Sequence, residues 1–458
     1  MSGFRWSDRE VRRGLGLEPA PDSEDVVYAG VSTDSRKIGP GDLFVALVGE
    51  RFDAHDFLAA AAGMGATGAV VAGEPEPWPE GLRRYLVEDT LLALGRLAQH
   101  RRRALGAAVV GVAGSNGKTT TKDLLRAALG EGMRAHATED NLNNRVGVPL
   151  TLLAAPQEAR VVVVEVGTNQ PGEVAMLADI VEPDLGVVTS IGEEHLEKLG
   201  NLEGVLEEEL CLLPAVRGKG RVFLADEPPE LAVRATRLVG PERVRTAGVS
   251  EGADLRPEGE VRIEPDGSTR WHWRGAEVRL PLPGRHNVRN ALLALGVAEE
   301  LGVPALEAAG GIATTPRLKL RGEWLRVGGI RVLADCYNAN PPSVIAALDL
   351  LASLPVEGDK VAVLGTMLEL GENAEPLHRS VAERATAWLG KGIDRLVATG
   401  LFADAFQGLG DERVVRERDP VAAYRAAASG FQGDETVLLK ASRGERLERW
   451  IDLLKGDG

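Results

Sequence analysis

The sequence predicts an α/β protein of three domains, with a parallel sheet in each of the two larger ones. Three observations predict it. From about residue 108 onward, short apolar runs alternate with helical stretches, the pattern of parallel strands covered on both faces. One run leads into a glycine-rich loop that opens a helix, Gly114 to Thr120. The alternation lapses between about 245 and 283, and after Thr314-Thr315-Pro316 it resumes as a second doubly wound unit. The expected domains are 1–105, 106–313 and 314–458.

The 458 residues suit about two to four domains. With 44% hydrophobic and 26% charged residues, the composition is that of a globular chain, not a disordered one. No apolar run approaches the roughly 18–20 residues that cross a bilayer. Met1 to Glu10 is charged and lacks the apolar stretch of a signal peptide. Cys211 and Cys336 cannot build a disulfide framework or a four-cysteine zinc site. A cytoplasmic protein is expected, and a monomer is plausible. The net charge of −15 argues against non-specific DNA binding, and 4% aromatic residues argue against a base-stacking platform. Anionic substrates stay open, because local donors bind phosphate inside acidic proteins.

In the first segment, Leu43–Leu47 and Ala69–Ala72 read as strands. Thr90 to Leu105 reads as a helix, and its basic run Arg101-Arg102-Arg103 as a solvated C-terminal end suited to the macrodipole. The second segment offers strands at Ala108–Ala113, Val161–Val164, Leu185–Val188 and Arg221–Leu224, with a helix over Lys122–Leu129. Val261–Ile263, Trp271–Trp273 and Glu277–Leu280 alternate and predict a small antiparallel insertion. The third segment offers strands at Arg331–Ala334, Val361–Leu364, Leu396–Thr399 and Val437–Lys440, separated by helices over Val344–Leu351 and Ala374–Trp388. Two such units place a ligand between them.

Gly114-Ser115-Asn116-Gly117-Lys118-Thr119-Thr120 carries the chemistry. Its glycines let successive N–H groups curl toward one phosphate. Lys118 would neutralise the outer phosphates, and Thr119 would place its hydroxyl on Mg²⁺. The strict phosphate-loop pattern fails, because Val112 stands where the first glycine belongs. Ligands of parallel sheets sit at the strands' carboxyl ends. Glu165 follows Val161–Val164 there, and a buried carboxylate needs a partner such as Mg²⁺. His195 follows the Leu185–Val188 strand, which should neighbour the loop.

These stretches resemble the Mur ligases, ATP-dependent amide-bond-forming enzymes of peptidoglycan precursor synthesis. Gly114–Thr120 looks like their form of the phosphate loop. Asn141-Leu142-Asn143-Asn144-Arg145-Val146-Gly147-Val148-Pro149 looks like their substrate-contacting stretch. Glu165-Val166-Gly167 and Ile191-Gly192-Glu193-Glu194-His195-Leu196-Glu197 look like their metal-site glutamate and histidine segments. The resemblance implies adenine contacts from Asn287 and Asn290, and ribose or phosphate contacts from Arg321, Asp335 and Asn338. It further implies substrate contacts from Thr33, Asp34, Ser35, Arg36, Asn141, Asn143, Asn144, Thr168, Asn340 and Arg443. Lys118, Glu165, His195 and Glu209 are the implied catalytic set, with one Mg²⁺ on Thr119 and Glu165 and a second near His195. The fold implied is a UDP-binding N-terminal α/β domain, a central ATPase-type domain and a Rossmann-like C-terminal domain.

Asp335-Cys336-Tyr337-Asn338-Ala339-Asn340-Pro341 is similar to the member that adds D-Ala-D-Ala to UDP-MurNAc-tripeptide. The Asp-Asn-Pro-Arg motif of the preceding ligase is absent. The rival readings are another Mur-type or folate-polyglutamylating ligase, or a binding-only relative. Three departures stand out. Glu209 occupies the place of a lysine carbamylated in most members, where its carboxylate is expected to replace the carbamate; the alternative is an exposed acidic face over Glu207–Glu209. Thr366 replaces an aspartate, and Cys336 a serine.

Overall fold

The computed structural model describes residues 6–20, 26–74, 76–316 and 318–456. Half of the Met1–Glu10 stretch read for a leader lies outside them. Among the described residues, no helix is long and apolar enough to cross a membrane.

The central sheet has six parallel strands, in spatial order Val244–Ala247, Val222–Ala225, Leu185–Val188, Ala108–Ala113, Val161–Glu165 and Ala135–Ala137. Val161–Val164 are fully buried, which explains their unbroken apolar run: both faces of the sheet are covered. Ala113 stands opposite Val188, and Val112 opposite Glu165. The loop leaving Ala113 is therefore flanked on both sides by carboxyl ends of strands, the position where α/β sheets bind ligands.

The antiparallel insertion is present as Glu258–Ile263, Thr269–Trp273 and Ala276–Leu280. Trp271 and Trp273 point into the core while His272 between them is exposed. That alternation lays the sheet against the apolar side of helix Arg285–Glu300.

The C-terminal sheet runs Glu323–Val327, Ile330–Asp335, Thr436–Lys440, Lys360–Leu364, Arg395–Ala398 and Val414–Arg416. All neighbours are parallel except the first pair, an antiparallel hairpin that the pattern reading did not find. Gly328-Gly329 at its tip was the available signal. The N-terminal sheet is four-stranded and parallel: Val31–Ser32, Leu43–Val45, Gly68–Ala72 and Arg83–Val87.

The basic run corrects one expectation. Arg101 and Arg102 are 1% and 2% exposed; they are not a solvated helix end. Helix Thr90–Ala104 packs between the first domain and the central one, in a single apolar cluster with Trp6, Val11, Leu152 and Leu177. Its end meets the C-terminal ends of helices Gly147–Ala154 and Glu173–Val181. Their last carbonyls lack intrahelical donors and carry negative partial charge. Arg101 donates to Ala155 O at 2.8 Å. Arg102 donates to Val181 O at 2.9 Å, Glu182 O at 2.7 Å and Asp184 Oδ2 at 2.8 Å. Only Arg103 is exposed, paired with Glu182.

Candidate functional site

The loop Gly114–Gly117 is held in a shape that only glycine permits at two points. Gly114 has φ +120°, and a Cβ there would lie 2.7 Å from Thr189 N. Gly117 has φ +87°, and a Cβ there would lie 2.6 Å from Asn290 Oδ1. Both values fall in the region that side-chain-bearing residues avoid. Helix Lys118–Leu129 starts directly after the loop, so its free N–H groups face whatever the loop encloses.

Around this turn the expected polar groups come together. Glu165 Oε1 accepts from Thr119 Oγ1 at 3.2 Å and from Asn143 Nδ2 at 2.9 Å. Lys118 curls back on its own loop, with Nζ donating to Gly114 O and lying 3.7 Å from Glu194 Oε1. Burial disfavours the charge on Lys118, but Glu194, Glu209 and Glu165 outweigh that and raise its pKa.

Glu209 is fully buried. Its Oε2 accepts from Gly114 N at 2.6 Å. Burial pushes its carboxyl up to about 7, against the pull of Lys118. Glu208 is buried too and accepts from Gly172 N at 2.7 Å and Val174 N at 2.8 Å, at the start of helix Glu173–Val181. The exposed acidic face thus reduces to Glu207, which pairs with Arg234.

Three buried oxygens here lack a hydrogen-bond partner: Glu165 Oε2, Glu194 Oε1 and Glu209 Oε1. Carboxylate and hydroxyl oxygens are what Mg²⁺ prefers, so Thr119 and Glu165 fit the ion expected of them. Among the described residues, no three His, Cys, Asp or Glu side chains converge to hold a metal alone. A cation here would complete its shell with water or substrate oxygens.

A cavity of about 1060 Å³ opens from the loop toward the C-terminal domain. Ser115, Asn116, Gly117, Lys118, Thr119, Thr120, Asn141, Asn143, Asn144, Glu165, Thr168, His195, Asn287 and Asn290 line it from the central domain. Arg321, Asp335 and Asn338 line it from the C-terminal domain. Asn290 Nδ2 donates to Asn287 Oδ1 at 3.0 Å, and Asn287 Nδ2 to Pro283 O at 2.7 Å, which fixes both amides. Lys440 Nζ pairs with Asp335 Oδ2 at 2.9 Å and donates to Asn338 O at 2.8 Å. The Arg321 guanidinium lies 4.0 Å from the centre of the Tyr337 ring, and that of Arg443 5.9 Å, within cation–π reach.

Side-chain contacts tie the domains across this cavity. Asn340 Nδ2 donates to Asn116 Oδ1 at 3.0 Å. His195 Nδ1 meets Glu369 Oε2 at 2.5 Å. Burial opposes charge on His195, but Glu369 and Glu194 overcome it and raise the ring's pKa.

Other expected residues lie elsewhere. Gly114, Glu209, Asn340 and Arg443 are not among the groups lining the cavity. Thr33, Asp34, Ser35 and Arg36 are in the N-terminal domain and do not line it either. There Arg36 holds Asp34 in a two-pronged pair at 2.9 Å and lowers its carboxyl to about 2. Thr366 Oγ1 accepts from Leu401 N at 3.1 Å, so its hydroxyl is already engaged by backbone. Cys336 is fully buried.

Two groups escaped the sequence reading. Lys122, one helical turn after Lys118, is 2% exposed and donates to Thr138 O at 2.8 Å and Asp140 O at 3.0 Å. Its Nζ lies 4.0 Å from Glu165 Oε2. The i, i+4 spacing of the two lysines was the available signal. Glu194 stands inside the His195 segment, where only the histidine was expected to have a role.

The chain matches the Mur ligase family catalytic domain over residues 27–102, the Mur ligase middle domain over 112–298 and the Mur ligase glutamate ligase domain over 320–443. The UDP-N-acetylmuramoyl-tripeptide–D-alanyl-D-alanine ligase of Bacillus subtilis is 35% identical over 446 residues, which is 95% of each chain. The crystal structure of MurF from Acinetobacter baumannii superposes with a TM-score of 0.88 at 28% identity, covering 100% of both chains. MurF from Thermotoga maritima, in complex with ADP, gives 0.80 at 26% identity over 93% of this chain and 97% of that one. With a relative this similar along nearly its whole length, the chain belongs to the Mur ligase family.

Proposed function

We propose that this protein uses ATP to join D-alanyl-D-alanine to the terminal carboxylate of UDP-MurNAc-tripeptide. The observation that carries the reading is the single cavity lined by the glycine loop with Lys118 on one side and by Arg321, Asp335 and Asn338 on the other. The reading is further supported by whole-length similarity to a ligase named for that reaction.

A carboxylate is a poor electrophile, so it must first be activated. Its oxygen attacks the γ-phosphorus of ATP, ADP departs, and an acyl phosphate forms. The dipeptide amine then attacks the acyl carbon, phosphate leaves and the nitrogen loses a proton. Phosphoryl transfer of this kind depends on positioning and charge neutralisation. Lys118 would leave Gly114 O and turn its ammonium to the outer phosphates. The loop N–H groups would hold the phosphate chain from beneath. Mg²⁺ on Thr119 and Glu165 would neutralise phosphate charge when bound.

Asn287 and Asn290 would take adenine, while Arg321, Asp335 and Asn338 would reach ribose and phosphate from the other domain. Asn141, Asn143, Asn144 and Thr168 would receive the peptide end of the UDP substrate, whose nucleotide end is assigned to Thr33–Arg36. Arg443 and Asn340 would stand on the dipeptide side. Glu209 would act from behind the loop, in place of a carbamate; its free Oε1 favours this role. Apposed domains exclude water, which protects an acyl phosphate.

The test is phosphate release with ATP, UDP-MurNAc-tripeptide and D-Ala-D-Ala together. Release should need all three, and Lys118→Ala should abolish it with the fold intact. Normal turnover by that variant would overturn the site assignment.

A further inference from the structure

Tyr337 lines the cavity, and the reaction above has no use for it. The antiparallel hairpin of the C-terminal sheet explains what stands beside it. Glu323 pairs with Ala334, so the turn before strand Glu323–Val327 lies next to the residues that follow strand Ile330–Asp335. Tyr337 N donates to Leu320 O at 3.1 Å across that junction. Leu320 has φ +59°, in the region that a bulky side chain avoids, and its N–H donates to Glu323 Oε2 at 3.0 Å. The turn is thus pinned from two sides in a strained form, and Arg321 is its next residue. The Arg321 guanidinium rests 4.0 Å from the centre of the Tyr337 ring.

The ring is what holds that guanidinium: among the described residues it makes no hydrogen bond and no ion pair. The ring itself is a fixed support, because Tyr337 packs on the apolar cluster of the C-terminal domain with Leu320 and Leu447. A carboxylate would hold an arginine more firmly, but it would occupy the N–H groups and cancel the charge. A ring face attracts the cation and leaves its in-plane donors free. Arg321 also acts on a second cation: burial opposes the charge on Lys118, and so does Arg321. Two cations at one cavity, one of them with all its donors free, suit an anion between them. Arg443 differs: it is exposed, 5.9 Å from the same ring, and 3.7 Å from Glu448 Oε1. Resting on the reading of the loop as a nucleotide-phosphate site, we propose that Tyr337 is a positioning residue, whose ring face holds Arg321 toward the nucleotide without consuming its donors.

The experiment changes the charge distribution of the ring and keeps its shape. Tyr337 is replaced by phenylalanine and by its mono-, di- and trifluorinated forms, which weaken the attraction for a cation stepwise. Calorimetry then measures the affinity of the full chain for the non-hydrolysable β,γ-imido analogue of ATP with Mg²⁺. Tyr337→Phe should bind within about twofold of the wild type. Kd should rise with each added fluorine, by about fivefold to tenfold over the series. In an Arg321→Ala background, itself weaker, the series should be flat. Circular dichroism and melting temperature establish that each variant is folded. A flat series with Arg321 present would overturn the proposal. The same slope without Arg321 would overturn it too, by making the ring a direct nucleotide contact. A loss at Tyr337→Phe as large as that of Arg321→Ala would also overturn it, by assigning the role to the hydroxyl. Lys118→Ala separates the proposal from the reading beneath it. Unchanged analogue affinity in that variant would sink the nucleotide site itself, whereas a flat series beside a weakened Lys118→Ala sinks only the part given to Tyr337.

Discussion

Asn340 does two things at once, and a single substitution separates them. Its Oδ1 accepts from Ser343 N at 3.1 Å and caps helix Pro341–Ser353. Its Nδ2 crosses to Asn116 Oδ1 at 3.0 Å. Serine caps helices about as well as asparagine but is too short to reach Asn116. Asn340→Ser therefore keeps the helix and removes the cross-domain bond. A neutral hydrogen bond of this kind contributes about 1 kcal/mol, so the domain-apposed form should lose about fivefold in population relative to the separated one. His195 with Glu369, and an apolar cluster that takes residues from both domains, still join them. Energy transfer between dyes placed on the central and C-terminal domains reads the distance directly, and kcat/KM for the dipeptide should fall by a similar factor. Asn116→Ala should match it, and the double variant should cost no more than either single one. An unchanged distance distribution in Asn340→Ser, or costs that simply add, would refute the reasoning.

Two further outcomes rest on buried polar groups. Arg102→Met removes the donors of Val181 O, which is buried, and of Glu182 O, while Asp184 keeps Val109 N and Arg217, and should lower unfolding free energy in urea by about 2 kcal/mol. Arg103→Met removes only an exposed pair and should cost under about 0.5 kcal/mol; equal costs would contradict the structural role given to Arg102. His378 is 1% exposed and burial holds its pKa down; Nε2 accepts from Met367 N at 2.9 Å, which requires the neutral ring. The unfolded chain binds the proton first, so stability should fall as pH drops below about 6.5, by at most about 1.4 kcal/mol per pH unit from this residue. His378→Gln should flatten that slope, and an unaltered slope would remove His378 as its cause.

The features legible in the sequence were those that depend on neighbours in the chain. Val161–Val164 announced a strand covered on both faces, and Trp271-His272-Trp273 announced one covered on a single face. The glycine loop announced itself by standing between strand and helix. Glu165 and His195 were legible because each comes soon after a buried-strand run, at the end of the sheet where ligands bind. Short edge strands did not show, because Ala135–Ala137 and Val414–Arg416 are too brief and mixed to set up a pattern. The burial of Arg101 and Arg102 did not show either. Most of their partners are backbone carbonyls 54 to 80 residues away in sequence, and carbonyls leave no compositional trace. The Asn116–Asn340 bond spans 224 residues and was visible only as a demand that the domains meet.

That demand leaves a physical mark at the second contact. His195 has φ +50° and Glu369 φ +64°. Neither is glycine, and the left-handed conformation costs each about 1–2 kcal/mol. The two strained residues are the ones that face each other across the domains, at 2.5 Å. Backbone around them is tied down on both sides. Lys198 N and Leu199 N donate to His195 O at 3.0 and 2.9 Å, and Glu197 N donates to Glu369 O at 3.4 Å, across the same boundary. Strain of this kind persists only where its surroundings over-determine the conformation. Here the surroundings belong to two domains, so separating the domains removes part of what holds each residue in place. The conformation that aims His195 at the cavity is thus stabilised by the same contacts that bring Arg321, Asp335 and Asn338 over the phosphate loop. On this reading of His195, domain apposition and site assembly would be one event, because the side chain that would serve the chemistry is also the side chain that makes the contact.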